Sequence, residues 1–187
     1  VAEIPASSLD GWASAELDEL IRQVSAAYDN YQLHRAFRLL HDFCAVQISA
    51  IYGNAMKDRL YCEKPDSPLR RRCQTVMHRM AVVLTKLLSP MLVFTADETW
   101  EHLRRAGEDA DLPSVHLARA PQPAAEPPSE EQRREWELIL KLRDDALLQL
   151  DALKKEAGLN KALDAELVFH VNDDAIRQKL QQYGPDL

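Results

Sequence analysis

Residues 31–61 read YQLHRAFRLLHDFCAVQISAIYGNAMKDRLY, and their periodicity decides the fold. Leu33, Phe37, Leu40, Cys44, Ile48 and Ile51 recur at the spacing of one helix face. No Gly or Pro interrupts them before Gly53. The stretch predicts a long amphipathic helix over 31–55 with that stripe turned inward.

Upstream, Leu17, Leu20, Ile21 and Val24 form a second stripe over 16–28. Downstream, EKPDSP breaks the pattern, and Ser67-Pro68 reads as an N-cap followed by Pro at the first helical position. A third helix is expected from there to about Leu88, with Val76, Met80, Val83, Leu84 and Leu87 inward and Pro90 as its stop. Thr95-Ala-Asp-Glu98 reads as a capping box opening a fourth helix, with Trp100 and Leu103 inward. Helices that are apolar on one side must bury those sides together, and an antiparallel bundle is the economical solution.

Residues 106–129 are rich in Pro, Ala and acid and read as a linker over the surface. Ser129-Glu-Glu-Gln132 is a second capping box, followed by a long helix with Trp136, Ile139, Leu140, Leu147, Leu150 and Leu153 on one face. Gly158 suits the position just past its end. Leu167–Val171 reads as a strand, and a further helix is expected from about Asp173. The fold class is therefore mainly α: a helical bundle over 1–122, then a partial α+β appendage over 123–187. The lone strand is expected to stay open, to pair with another copy, or to pair with the apolar segment around Val115–Leu117.

Composition narrows the class. The 187 residues include 5 Gly and carry a formal charge of −7. No apolar run approaches the roughly 20 residues of a membrane helix, and the polar start has no secretory h-region. A chain that begins at Val1 is expected to be cut from something longer. Cys44, Cys62 and Cys73 are odd in number and lack C-x-x-C spacing, so reduced thiols in a cytoplasmic protein are expected rather than disulfides or zinc. Phosphate-loop, nucleophile-elbow and H-E-x-x-H patterns are absent.

Positive charge is concentrated against this acidic background. Eight basic and three acidic residues lie between Lys57 and Lys86. Lys57 and Arg59 sit at the end of the second helix, and Arg70, Arg71 and Arg72 sit in the first turns of the third. A hairpin brings both groups to one end of the bundle. Cations at a helix N-terminus oppose the macrodipole, a local cost that often accompanies function. Arg suits bidentate phosphate contacts, and Tyr61 offers a ring to an unstacked base. On spacing alone the plainer reading leads: Lys57 and Arg59 cap a helix and the arginine run is solvated.

A resemblance shifts that balance. The K-D-R-L-Y end of helix two, R-R-x-x-Q-T-V in helix three, L-L-S-P-M-L, F-T-A-D-E-x-W and S-V-H-L together resemble the anticodon-binding helical domain of class I aminoacyl-tRNA synthetases. The isoleucyl enzymes are the nearest in pattern, with the valyl and leucyl enzymes as alternatives. The likeness extends over nearly the whole chain, from LDGWASAEL to ELVFHV. Gly53 and Asn54 depart from it, standing where the family usually has a bulky residue and an acid. The H-I-G-H and K-M-S-K-S catalytic signatures and the cysteine-rich zinc tail are also absent. The resemblance implies a non-catalytic fragment with no cofactor of its own. It would bind the anticodon stem-loop of isoleucine tRNA beside the catalytic domain of the same polypeptide, where ATP is used. Lys57, Arg59, Arg70, Arg71 and Arg72 would position the RNA backbone, and Tyr61 would stack on a base. A helical adaptor whose basic face meets an acidic protein is the reading from another class.

Overall fold

The computed structural model describes residues 3–103, 105–157, 166, 168–172 and 174–183. The chain forms two compact units, Val1–Pro127 and Pro128–Leu187.

In the first unit, helix α1 spans Leu9–Asp29. The Ser8 hydroxyl caps it, accepting from the Gly11 amide at 3.0 Å and donating to the Pro5 carbonyl at 2.6 Å. Leu9, Leu17, Leu20, Ile21 and Val24 are buried, as the stripe predicts. The chain then turns back through Tyr31 into α2, Leu33–Asp42. A π-helix, Phe43–Tyr52, follows, and then two short helices, α3 (Gly53–Ala55) and α4 (Lys57–Tyr61). After a loop, α5 runs over Pro68–Leu88 and α6 over Val93–His102.

Helix α1 packs on α2 and α5, and α5 packs on α6. Asp10 at the start of α1 meets Arg59 of α4, while Tyr28 near its end donates to the Leu87 carbonyl at 2.7 Å. Helices α1 and α5 therefore run the same way, and the α2–α4 stretch runs against both.

The long second helix is real in extent but differs in phase from the sequence expectation. Leu33 and Phe37 are exposed, and Ala36, Leu40 and Phe43 are buried instead. Farther on, the buried positions become Tyr52, Met56 and Arg59. The π-helix accounts for the second of these shifts, from Phe43 to Tyr52 and beyond. Its i→i−5 hydrogen bonds take more residues per turn than an α-helix, so the inward line slips along the sequence.

Two other expectations change. Helix α6 begins at Val93, not at Thr95, so Thr95 lies within it and forms no capping box. Its carbonyl accepts from the Thr99 hydroxyl at 2.7 Å, and Asp97 reaches out to Ser114 and the Val115 amide at 2.5 and 3.2 Å. Those bonds hold Val115–Leu117 in a 3₁₀ turn, so this segment is no strand. The second change concerns the appendage. Among the described residues there is no strand: Val168–Val171 have no ladder partner, and Leu167 lies outside the described residues. A strand without a pairing neighbour cannot satisfy its backbone groups.

The 124–125 stretch of the linker belongs to the bundle. Asp18 accepts from the Ala124 and Ala125 amides at 3.0 and 3.2 Å, and Arg22 donates to the Ala125 carbonyl at 2.6 Å. Asp18 also pairs with Arg79 of α5.

In the second unit, α7 spans Glu130–Ala157 and α8 spans Asp174–Tyr183. The Ser129 capping box forms as expected, with Ser129 N to Gln132 at 2.9 Å and Gln132 N to Ser129 at 3.2 Å. Trp136 and Ile139 are buried, and the Trp136 and Tyr183 rings meet edge to face at 5.0 Å. Leu147 and Leu153, expected inward, are exposed. Gly158 and Asp173 lie outside the described residues.

Candidate nucleic-acid interface

The loop between α4 and α5 brings the basic residues singled out by the sequence to one end of the bundle. Helix α4 is only five residues long, and its anchor is internal. Asp10, wholly buried, accepts from the Tyr52 hydroxyl at 2.6 Å and from Arg59 at 3.2 Å. Burial first, and then the Asp10 carboxylate, push the Tyr52 hydroxyl far above the ordinary tyrosine range. Burial also raises the Cys73 thiol beside it.

Arg59 therefore differs from its sequence-based role. Its guanidinium faces the core, because an unpaired Asp10 there would be costly. It fixes α4 from behind and offers no free face to a phosphate. Neither the residue type nor its neighbours in K-D-R-L-Y reveals this, since the partner lies 49 residues away.

The remaining candidates are outward or half-outward. Lys57 is exposed and donates to the Asn54 side chain at 2.9 Å. Tyr61 is 82% exposed, its ring open to solvent. Arg71 is exposed, while Arg70 and Arg72 are half-buried. Arg70 donates to the Glu63 carbonyl at 2.9 Å, fixing the loop between the two helices. Ser67 takes the N-cap position with Pro68 behind it, but its side chain makes no capping bond. The first turn of α5 thus presents its cations where backbone amides also face outward, a combination suited to anionic oxygens.

This end offers positive charge and one flat ring. Among the described residues, no group of three or more His, Cys, Asp or Glu is placed to hold a metal ion, and no helix is long and apolar enough to cross a membrane.

The opposite end carries a surface the sequence reading missed. The phase of α2 turns His34, Phe37, Arg38 and His41 to solvent. Their spacing of three and four residues is visible in the sequence, but the apolar pattern draws Phe37 into the core stripe.

Residues 10–169 match the family model described as the anticodon-binding domain of tRNA ligase. The isoleucine–tRNA ligase of Petrotoga mobilis is 37% identical over 175 residues, covering 94% of this chain. Those of Halalkalibacterium halodurans and Moorella thermoacetica are 36% and 39% identical over 179 residues, or 96% of the chain. The chain spans about one-fifth (19%) of the length of each of these relatives. It belongs to the anticodon-binding domain family of the tRNA ligases.

Proposed function

We propose that this chain binds the anticodon stem-loop of an isoleucine tRNA, as the non-catalytic helical part of an ATP-dependent isoleucine–tRNA ligase. The observation that carries the reading is the match of nearly the whole chain to three isoleucine–tRNA ligases. The ligase's catalytic domain is the partner in the same polypeptide, and the cytoplasm is the expected compartment. ATP and isoleucine belong to that catalytic domain.

Lys57, Arg70, Arg71 and Arg72 meet phosphates in this reading, and Tyr61 stacks on a base. Arg59 contributes by holding α4 against Asp10. Cations gathered at one end of a chain of net charge −7 give a local anion site without attracting nucleic acid along the whole surface.

The test is binding of the chain to isoleucine tRNA across a salt series, with valine and leucine tRNAs and a duplex of equal charge as competitors. Preference for isoleucine tRNA over all three is expected. Equal binding to the duplex would leave only nonspecific charge attraction. Replacing Arg70, Arg71 and Arg72 by Ala should flatten the salt dependence by about 0.7 to 0.9 units per lost phosphate contact. An unchanged slope in a folded variant would remove these arginines from the interface.

A further inference from the structure

We infer that Asn54 is a positioning residue for RNA binding: its neutral side-chain oxygen orients the Lys57 ammonium toward a phosphate without cancelling its charge. The inference rests on the RNA-binding reading above and deepens it at the same site.

The first observation is what holds each cation. Several cations of this unit rest on carboxylates: Arg22 on Glu19, Arg79 on Asp18, Lys86 on Asp109 and Arg119 on Glu108. Among the described residues, Lys57, Arg70, Arg71 and Arg72 form no ion pair. Two of these four are tied down, and both by neutral oxygens. Lys57 Nζ donates to Asn54 Oδ1 at 2.9 Å, and Arg70 donates to the Glu63 carbonyl at 2.9 Å. A cation on a carboxylate meets a phosphate as half of a dipole. A cation on an amide or carbonyl oxygen meets it as a full charge.

The second observation is how Asn54 is itself held. Its Nδ2 donates to the Ala50 carbonyl at 3.4 Å, in the preceding π-helix, so the amide turns its oxygen to Lys57. A lysine ammonium has donors only, and the opposite orientation would set donor against donor. The bond engages one of the three ammonium donors and leaves the others for anionic oxygens. Lysine loses much rotamer freedom when it is ordered, so ordering it beforehand lowers that cost at binding.

The third observation is placement. Asn54, Lys57 and Tyr61 are all exposed and recur at spacings of three and four, on the outer face that leads to the loop before α5. Asp58 is next to Lys57 in sequence and makes no ion pair with it, since adjacent residues in a helix do not face each other. A carboxylate at position 54 would face Lys57 and pair with it.

The experiment measures binding of the 187-residue chain to isoleucine tRNA over about a tenfold range of salt. Asn54→Asp keeps the side-chain shape and adds one negative charge. It is expected to flatten the salt slope by about 0.7 to 0.9 units, as Lys57→Ala does, and to weaken binding roughly 5- to 8-fold at the low-salt end. Asn54→Ala keeps the Lys57 charge and frees its side chain. The slope should then hold while binding weakens, and in a Lys57→Ala background Asn54→Ala should change nothing further. Helicity by circular dichroism should be the same in every variant, because positions 54 and 57 are exposed. A residue serving the fold alone would not move the salt slope. If the unaltered chain fails to bind isoleucine tRNA, or binds it independently of salt, the RNA-binding reading falls and this inference with it. If it binds with salt dependence and folded Asn54→Asp keeps the full slope, only the role of Asn54 is overturned. If Asn54→Ala weakens binding equally with and without Lys57, Asn54 meets the RNA itself and its positioning role is overturned.

Discussion

Arg59 donates to the buried carboxylate of Asp10 at 3.2 Å, joining the last turn before the α4–α5 loop to the first turn of the bundle. Tyr52 completes the site from the π-helix. Three separate segments converge on one carboxylate, so the end that displays Lys57 and Tyr61 is built around an internal charge pair.

Removing one partner of that pair should be more damaging than removing both. Arg59→Ala is expected to cost about 3 to 5 kcal/mol, since it leaves the Asp10 carboxylate buried without the Arg59 charge. The double variant Asp10→Leu, Arg59→Met should recover much of that loss. Urea denaturation of the single and double variants measures the difference, and a double variant no more stable than Arg59→Ala would contradict it.

Tyr52 sets an alkaline limit. Its raised value means that the folded protein keeps a phenol proton that the unfolded chain gives up. Stability from this source is complete below the unfolded value of about 10 and falls as pH rises above it. Tyr183, pushed up to about 12 by burial and by Glu135, adds to the same trend between about 10 and 12. Tyr52→Phe should make the decline above pH 10 shallower. Tyrosinate absorbance should show Tyr52 ionising only as the protein unfolds, and its ionisation in the folded state would refute this.

Trp100 is wholly buried, packed with Ala96 and Val115, and its indole donates to the Leu112 carbonyl at 3.2 Å. Lys86 and Arg105 lie 5.8 and 5.1 Å from its ring centre. Trp100→Ala should cost about 3 to 5 kcal/mol. A change in chemical denaturation below about 1 kcal/mol would show that the site collapses without penalty.

Gly53 should reject alanine despite alanine's better helix propensity. A Cβ there would lie 2.8 Å from the Ile48 carbonyl oxygen, which already accepts from the Gly53 amide. In an ordinary helix interior the change would stabilise by roughly 0.5 to 1 kcal/mol. Here it is expected to destabilise by about 1 to 3 kcal/mol, as the π-helix backbone shifts. A higher Tm for Gly53→Ala would contradict that contact.

Asp18 should govern the linker. Asp18→Ala removes the acceptor for two linker amides and the partner of Arg79. Amide exchange at Ala124 and Ala125 is expected to quicken, with a stability loss of about 1.5 to 3 kcal/mol. Unchanged protection at both amides would show that other contacts hold the linker.

The sequence by itself determined where the helices are and which family they build. Local signals are sufficient there: Pro68 at a helix start, the Ser129 capping box, and the α1 stripe of Leu17, Leu20, Ile21 and Val24 act within a few residues. Only the tertiary structure decided which faces those helices present. The π-helix over Phe43–Tyr52 has no periodic signature, yet it resets the phase that buries Tyr52, Met56 and Arg59. Arg59 in K-D-R-L-Y reads as a surface cation until Asp10 arrives from another helix, and Tyr31 reads as part of a helix until the turn places it at positive φ. The cost of a buried charge and of a strained backbone depends on partners distant in the chain, and no local pattern encodes those partners.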